Sequence, residues 1–419
     1  MKTLYLQPQG NTIIVNAGEF IGGAIQTTAN SNHYRFVGIE FRPANGKFVV
    51  GLVVIGLGEK LSAALPHDFT FDRCYIHGDP TVGGRRGIAM DGAHVAVVDS
   101  YVSDFKEVGV DTQALWAYNS PGPFKITNNY LEAAGENVMF SGADAKIANL
   151  VPSDIEIRHN HFIKPLAWMG STWSVKNLLE FKNAQRVLVE GNRFENNWSK
   201  AQNGFSILVT PRNQDGTAPW SITQDITFRF NMLVNLAQGF NLLGHDNIHP
   251  SHNSRRILIQ NNVIKVTGLG GGAGRIFQIL SGIADLSIDH NTAFGTGPLD
   301  IADGIPKSDH VDITNNIITK GSYGFIGTGT MEGNDTLSKY FTNWIFTNNA
   351  IIGATSKLDP PGNYFPLDAS EIGFVDYAGG DYRLSAASPF KHASTDGKDL
   401  GADIKSIAKT STGVTGSDL

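Results

Sequence analysis

Two short segments of the sequence carry a pattern suited to acid–base chemistry. LLEFKN at 178–183 and LVTPRN at 208–213 each end an apolar run with a cation and an asparagine, and aligning them sets Lys182 over Arg212. A third segment, LLGHDN at 242–247, brings His245 and Asp246 to the same place, and MFSGAD at 139–144 offers Ser141 and Asp144. If these runs are strands stacked ~4.8 Å apart, equivalent side chains form outward ladders. Glu180 stands two residues before Lys182 and shares its face. One patch then gathers Asp144, Glu180, Lys182, Arg212, His245 and Asp246. Such a set suits β-elimination on a uronic acid. A base removes the proton next to the carboxylate, a cation neutralises that carboxylate, and an acid protonates the leaving oxygen. Lys182, Arg212 and His245 are the candidate catalytic groups, with Glu180 and Asp246 as substrate contacts.

A second carboxylate set lies upstream. DFKEVGVD gives Asp104, Glu107 and Asp111, and NYLEAAGENVM gives Glu132 and Glu136 about one repeat later. Stacked like charges repel unless they are paired or hold a cation. Glu107, Asp111, Glu136 and Asp144 are therefore the candidate ligands for Ca²⁺, a hard ion that takes oxygen donors. The same carboxylates could instead act as a hydrolase pair, which needs about 5–9.5 Å between them. Tryptophans crowd this part of the chain: Trp116, Trp168, Trp173, Trp198 and Trp220, with Tyr118. Loop tryptophans stack on sugar rings and equally cover cores, so Trp168, Trp173, Trp198 and Trp220 are candidate substrate contacts. Two further polar clusters carry weaker signals. CYIHGDPTVGGRRG holds His77, Asp79, Arg85 and Arg86, and HDNIHPSHN spaces His245, His249 and His252 for zinc but contains Pro250 and no helical pattern. Gly270–Gly272 precedes no helix and reads as a turn rather than a phosphate cradle.

The elements that must position these residues are repeats. A strand–Asn–strand pattern recurs at ITNNYLE, IRHNHFI, VEGNRFE, FRFNMLV, IQNNVIK, IDHNTAF, ITNNIIT and FTNNAII, marked by Asn129, Asn160, Asn192, Asn231, Asn262, Asn291, Asn316 and Asn349. FVGIEFR, FDRCYIH and VVDSYVS match it upstream with the Asn replaced. The repeat averages roughly 31 residues, a unit too small to bury a face alone, so about eleven units stack to make one core. Alternating Ile, Val, Phe and Tyr argue strands, and Asn, which tolerates a left-handed backbone, argues the turn between them. Cys74 occupies an Asn position in apolar context and is expected to be a buried free thiol.

These NN-x-[IVY]-x coils resemble the right-handed parallel β-helix proteins of the pectate-lyase-like superfamily. The resemblance covers roughly residues 30–390 and implies an all-β solenoid of about eleven coils. It divides the chain into an N-terminal cap at 1–30, the helix at 31–355, and a C-terminal cap and tail at 356–419, with KTSTGVTGSDL frayed. Lys182-Asn183, Asn192-Arg193-Phe194 and Arg212-Asn213 are similar in order to the Lys-Ser, Asn-x-Phe and Arg-His-Gly motifs of alginate-lyase and chondroitinase-B-like enzymes. Asn183 stands for the Ser, and Asn213-Gln214 for the His-Gly. The resemblance implies Lys182 as base and Arg212 as acid in a polysaccharide lyase, with Ca²⁺ as the candidate cofactor and an extracellular or cell-surface place. A glycoside hydrolase using paired carboxylates, a non-catalytic glycan-binding or adhesin-like module, and a structural spacer stay open beside it.

Composition narrows the classes. The 419 residues carry a net charge of -6, which gives no basic footprint for nucleic acid. The single cysteine excludes an internal disulfide framework. No apolar run reaches ~18 residues, and MKTLYLQPQG lacks the apolar stretch of a signal peptide.

Overall fold

Strand follows strand because β-branched and aromatic residues alternate with polar ones, and one asparagine-containing turn per coil separates the first sheet from the second. A computed structural model describes residues 4–6, 14–17 and 23–414. Its strands form three parallel sheets of thirteen, twelve and eleven strands, and each coil contributes to all three in turn. One coil runs through Ser153–Arg158, His161–Ile163 and Asn177–Phe181, and the next through Ala184–Glu190, Arg193–Asn197 and Phe205–Val209. Register is kept from coil to coil: Ile155 pairs with Val187 and Val187 with Ile226, while Leu179 pairs with Ile207 and Ile207 with Phe240. The inward positions fill one continuous core in which like side chains stack, Phe162 on Phe194 at 4.4 Å and Phe194 on Phe228 at 5.5 Å.

The turn between the first and second sheets carries the repeat. Each marking asparagine is buried, and its Oδ1 accepts from the backbone N–H of the asparagine one coil earlier. The ladder passes from Asn129 through Asn160, Asn192, Asn231, Asn262, Asn291 and Asn316 to Asn349 and Asn363. Ser100 and Cys74 continue it upstream, Ser100 N–H donating to Asn129 and Cys74 N–H to Ser100. The left-handed residue expected at the asparagine is the one before it: Asn128, His159, Gly191, Phe230 and Asn261 all have φ between 54° and 66°. The marking Asn is instead chosen because its amide both donates and accepts inside a buried corner. Cys74 is buried and free, as its context implied, and burial pushes its thiol pKa up.

Both ends depart from the expected division. Within the segment read as a cap, Leu4–Leu6, Ile14–Ala17 and Ile25–Gln26 pair with the next coil in all three sheets, so the solenoid begins there. The far end is closed by the helix Asn334–Tyr340, whose Leu337 and Tyr340 enter the core beside Phe325 and Phe341. The chain after residue 356 runs back along the second sheet. Ile372, Tyr382, Phe390, Leu400, Ile404 and Ile407 pack on Val263, Phe294, Ile317 and Ala350. The tail is ordered as far as described: Ile404–Thr410 is helical and Val414 is buried, while residues 415–419 lie outside the described residues.

Candidate functional site

The outer face of the third sheet collects the polar residues. In Gln113–Ala117 and Asn177–Phe181 two consecutive side chains, Ala114 with Leu115 and Leu178 with Leu179, both join the core. That break in alternation leaves a residue at each side of the pair pointing outward, so Asn177 and Glu180 meet: Asn177 Nδ2 donates to Glu180 Oε2 at 2.9 Å. Successive coils extend the row. Arg86 Nε donates to Gln113 at 3.0 Å, and Gln113 Nε2 donates to Glu136 Oε2 at 2.7 Å. Glu136 pairs in register with Asn177. Trp116 lies half-buried on the same face, stacked on Tyr118 at 4.8 Å with the Arg86 guanidinium 4.2 Å from its ring centre.

Further along, a polar cavity of about 400 Å³ is lined by Glu180, Lys182, Gln202, Thr210, Arg212 and Asn241. Lys182 and Arg212 therefore share one cavity, though not at matched positions. Phe181 pairs with Val209, so Lys182 falls beside Thr210, and Arg212 stands two residues on, its N–H donating to the Lys182 carbonyl at 2.9 Å. The proline before Arg212 and the turn it begins account for that offset. Lys182 Nζ lies 3.5 Å from Glu180, and Arg212 donates to Asp246 at 3.0 Å and Asn247 at 2.9 Å. Carboxylates thus intervene between the two cations, which lowers the repulsion their closeness would cause.

The electrostatics centre on two buried carboxylates. Burial pushes the Glu136 carboxyl up to about 7, and the charges of Glu180 and Asp111 add to it, while Lys176 and Gln113 oppose. Lys176 sits between, paired with Asp111 and 3.7 Å from Glu136 Oε1. Burial opposes its charge, but Glu136 and Asp111 outweigh it and hold its pKa above the usual value. Glu136 Oε1 and Asn177 Oδ1 are buried without a hydrogen-bond partner. These two oxygens lie on adjacent coils in register and are donors of the kind a hard cation such as Ca²⁺ takes.

Of the four expected metal ligands only Glu136 belongs to this set. Glu107 is held by Arg85 in a bidentate pair at 2.7 and 2.9 Å, and Asp111 by Lys176. Asp144 accepts from the amides of Asp215 and Thr217 and the Thr217 hydroxyl, tying two loops together. His245 turns to the neighbouring coil, donating to the Ser281 carbonyl at 2.9 Å, and lines neither this cavity nor the one beyond Arg212. His249 donates to the Asn213 carbonyl, so the three histidines of HDNIHPSHN do not converge. Asp246 pins its loop. Burial would raise its pKa, but the Ile248 and Asn213 amides and Arg212 outweigh this and hold it below the usual carboxylate value.

The tryptophans are mostly cover. Trp168 and Trp198 are buried with Val175 and Ala134, Trp173 packs against them, and Trp220 donates to the Leu150 carbonyl. Trp116, not those four, faces the polar row. His77 contacts Glu40 at 3.1 Å, and Asp79 accepts from three loop amides, so that cluster is a pinned turn. Sequence reasoning missed Gln113 and Asn177, which flank the paired inward residues Ala114–Leu115 and Leu178–Leu179, as well as Lys176 and Asn241. It also missed Lys164, fully buried, whose Nζ donates to the carbonyls of Ala133, Ala134 and Gly135 and to Asn137.

The sequence matches no known family profile and no curated protein. Solved structures do match in shape. A double mutant of the tailspike protein of E. coli bacteriophage HK620, in complex with a pentasaccharide, superposes with a TM-score of 0.56 at 12% identity over 84% of this chain and 60% of that one. Another mutant of the same tailspike, with a hexasaccharide, gives 0.56 at 13% identity over 87% and 62%. The fold is a right-handed parallel β-helix. The pectate lyase Pel9A also aligns, with a TM-score of 0.48 at 14% identity over 88% of both chains. The β-helix spans about three fifths of the tailspike chains it matches.

Proposed function

We propose that this β-helix is a carbohydrate-active protein that cleaves an acidic polysaccharide by β-elimination on the outer face of its third sheet. The observation that carries the reading is the polar cavity holding Lys182, Arg212 and Glu180 together on adjacent coils. Lys182 would take the proton next to a uronate carboxylate, Arg212 would protonate the leaving oxygen, and Asn241 and Gln202 would hold hydroxyls. Glu136, Asn177 and Glu180 would hold Ca²⁺, which when bound neutralises the uronate carboxylate and so acidifies the neighbouring proton. Oligosaccharide complexes of a protein with the same fold support a glycan ligand. The test is a panel of uronate polymers: elimination yields an unsaturated product that absorbs in the ultraviolet.

A second reading has its own observation. Glu136, raised to about 7, beside Glu180 is an acid and base pair of the kind that hydrolyses glycosides. Reducing ends released without ultraviolet absorbance would favour it. Binding with no turnover would leave a glycan-binding module.

A further inference from the structure

We propose that His33, His67, Asp68 and His94 form a binding site for a borderline divalent transition metal, of which Zn²⁺ is the type. The site lies on the first sheet, away from the polar row. Three imidazoles from three successive coils converge on one carboxylate. His67 Nδ1 lies 2.8 Å from Asp68 Oδ2, His94 Nδ1 2.9 Å from Asp68 Oδ1, and His33 Nε2 3.4 Å from Asp68 Oδ2. One ligand atom each from His33, His67 and Asp68 fall within 4.8 Å of one another. Zinc bonds to nitrogen and oxygen of ~2.0–2.2 Å put tetrahedral ligand atoms roughly 3.3–3.6 Å apart, so small side-chain rotations complete the set.

Two further features separate this cluster from an ordinary ion pair. First, the His33 tautomer is fixed. Its Nδ1 donates to Asn32 Oδ1 at 2.5 Å, and Asn32 Nδ2 is itself anchored on the Asn30 carbonyl at 2.7 Å. His33 Nε2 is thereby turned toward Asp68, and the Asn32 contact gives a metal ligand its outer-shell partner. Second, His33, Asp68 and His94 belong to a column of left-handed residues that continues through Asp154, Arg186, Asp225, Arg256, Asp285 and His310. In later coils one guanidinium meets one carboxylate, Arg186 on Asp154 and Arg256 on Asp225. In the second to fourth coils imidazoles stand in place of guanidinium, and His67 adds a third. Three imidazoles on one carboxylate exceed what charge pairing needs, and imidazole, unlike guanidinium, binds metal. His33, Asp68 and His94 also line a cavity of about 460 Å³, leaving an open side for water or a further ligand.

The experiment titrates the full chain, stripped with a chelator, with Zn²⁺ by calorimetry and with Co²⁺ by visible absorbance. The expected result is one equivalent of Zn²⁺ bound at ~10 µM or tighter and Co²⁺ bands of tetrahedral intensity, with Ca²⁺ unable to compete. His33→Ala with His67→Ala should weaken binding at least ~100-fold, whereas His310→Ala, in the same column but far away, should leave it unchanged. Binding that survives the double substitution, or no binding by a parent chain whose circular dichroism is native, overturns the proposal. So does equal competition by Ca²⁺.

Discussion

The proposed base and acid, Lys182 and Arg212, can be tested one residue at a time. On a polymer the parent cleaves, Lys182→Ala and Arg212→Ala should each lower turnover by ~10²–10⁴ with little change in melting temperature, because both side chains reach solvent in the cavity. Unchanged turnover in both would move the chemistry to Glu136 and Glu180. Glu136 sets a pH dependence whose sign follows from its raised pKa. In the unfolded chain it titrates near ~4.3, in the folded protein at about 7, so between these values the native state binds more protons. Stability therefore falls as pH rises through that window. Glu136→Gln should flatten this part of the curve, which denaturant melts at a series of pH values would read; a slope identical to the parent's would show that Lys176 already compensates the charge. The cations of this site were legible in the sequence because charge on an apolar strand stands out. Asn177 and Gln113 were not, because their facing depends on Leu178 with Leu179 and Ala114 with Leu115 both turning inward, and an apolar pair alone does not say where a strand breaks its alternation.

At the scale of the element, the asparagine ladder is the device that sets the coil corner. Its spacing in the sequence revealed the coil length and the register of the second sheet, since each Asn is one turn, but not the unmarked first coil. It did not reveal the register of the third sheet, because the connections after it vary in length and carry no marker; hence the two-residue offset between Lys182 and Arg212. Asn192 shows what one rung contributes. It accepts from Asn160 N–H at 2.9 Å and donates to the Ile157 carbonyl at 2.9 Å and Asn231 Oδ1 at 3.0 Å. Asn192→Ala removes the buried partner of the Asn160 N–H and the Ile157 carbonyl and should cost ~2–4 kcal/mol in denaturant unfolding. Asn128→Ala, at the exposed left-handed position before the ladder, should cost ~1 kcal/mol from backbone strain alone. Equal losses at the two positions would mean that the turn conformation, rather than the buried amide, holds the corner. Lys164 plays a comparable part at the next bend. Lys164→Met keeps the volume but removes the buried donor shared by four acceptors, of which Ala134 and Gly135 keep the Lys176 and Asn177 amides, and should cost ~2–3 kcal/mol.

At the scale of the whole molecule, a solenoid is held by contacts between neighbouring coils, so its stability is close to a sum of local terms. The returning C-terminal segment breaks that rule. It leaves the last coil and runs back to the level of Gly191, where Thr410 packs, joining coils that are otherwise remote. Gly401 N–H donates to the Asn315 carbonyl, Ala402 N–H to Thr292 Oγ1 and Asp403 N–H to Asn261 Oδ1, one coil after another. Ile404 and Ile407 then cover Val263 and its neighbours, and two fully buried isoleucines contribute ~3–6 kcal/mol. This strap was hidden in the sequence because it lacks the repeat, and a segment without the repeat reads as an end cap whichever way it runs. Ile404→Ser with Ile407→Ser should therefore do more than lower the melting temperature. With the strap loosened, the coils from about 190 to 350 lose their long-range tie, and their amides should exchange faster as a block while the coils before 190 keep their protection. An apolar stripe on the second sheet should also open, read as increased binding of a hydrophobic dye. Uniform loss of protection along the chain would mean that the solenoid unfolds as one unit and the strap merely adds to the total; no loss anywhere would mean that the coils need no tie beyond their neighbours.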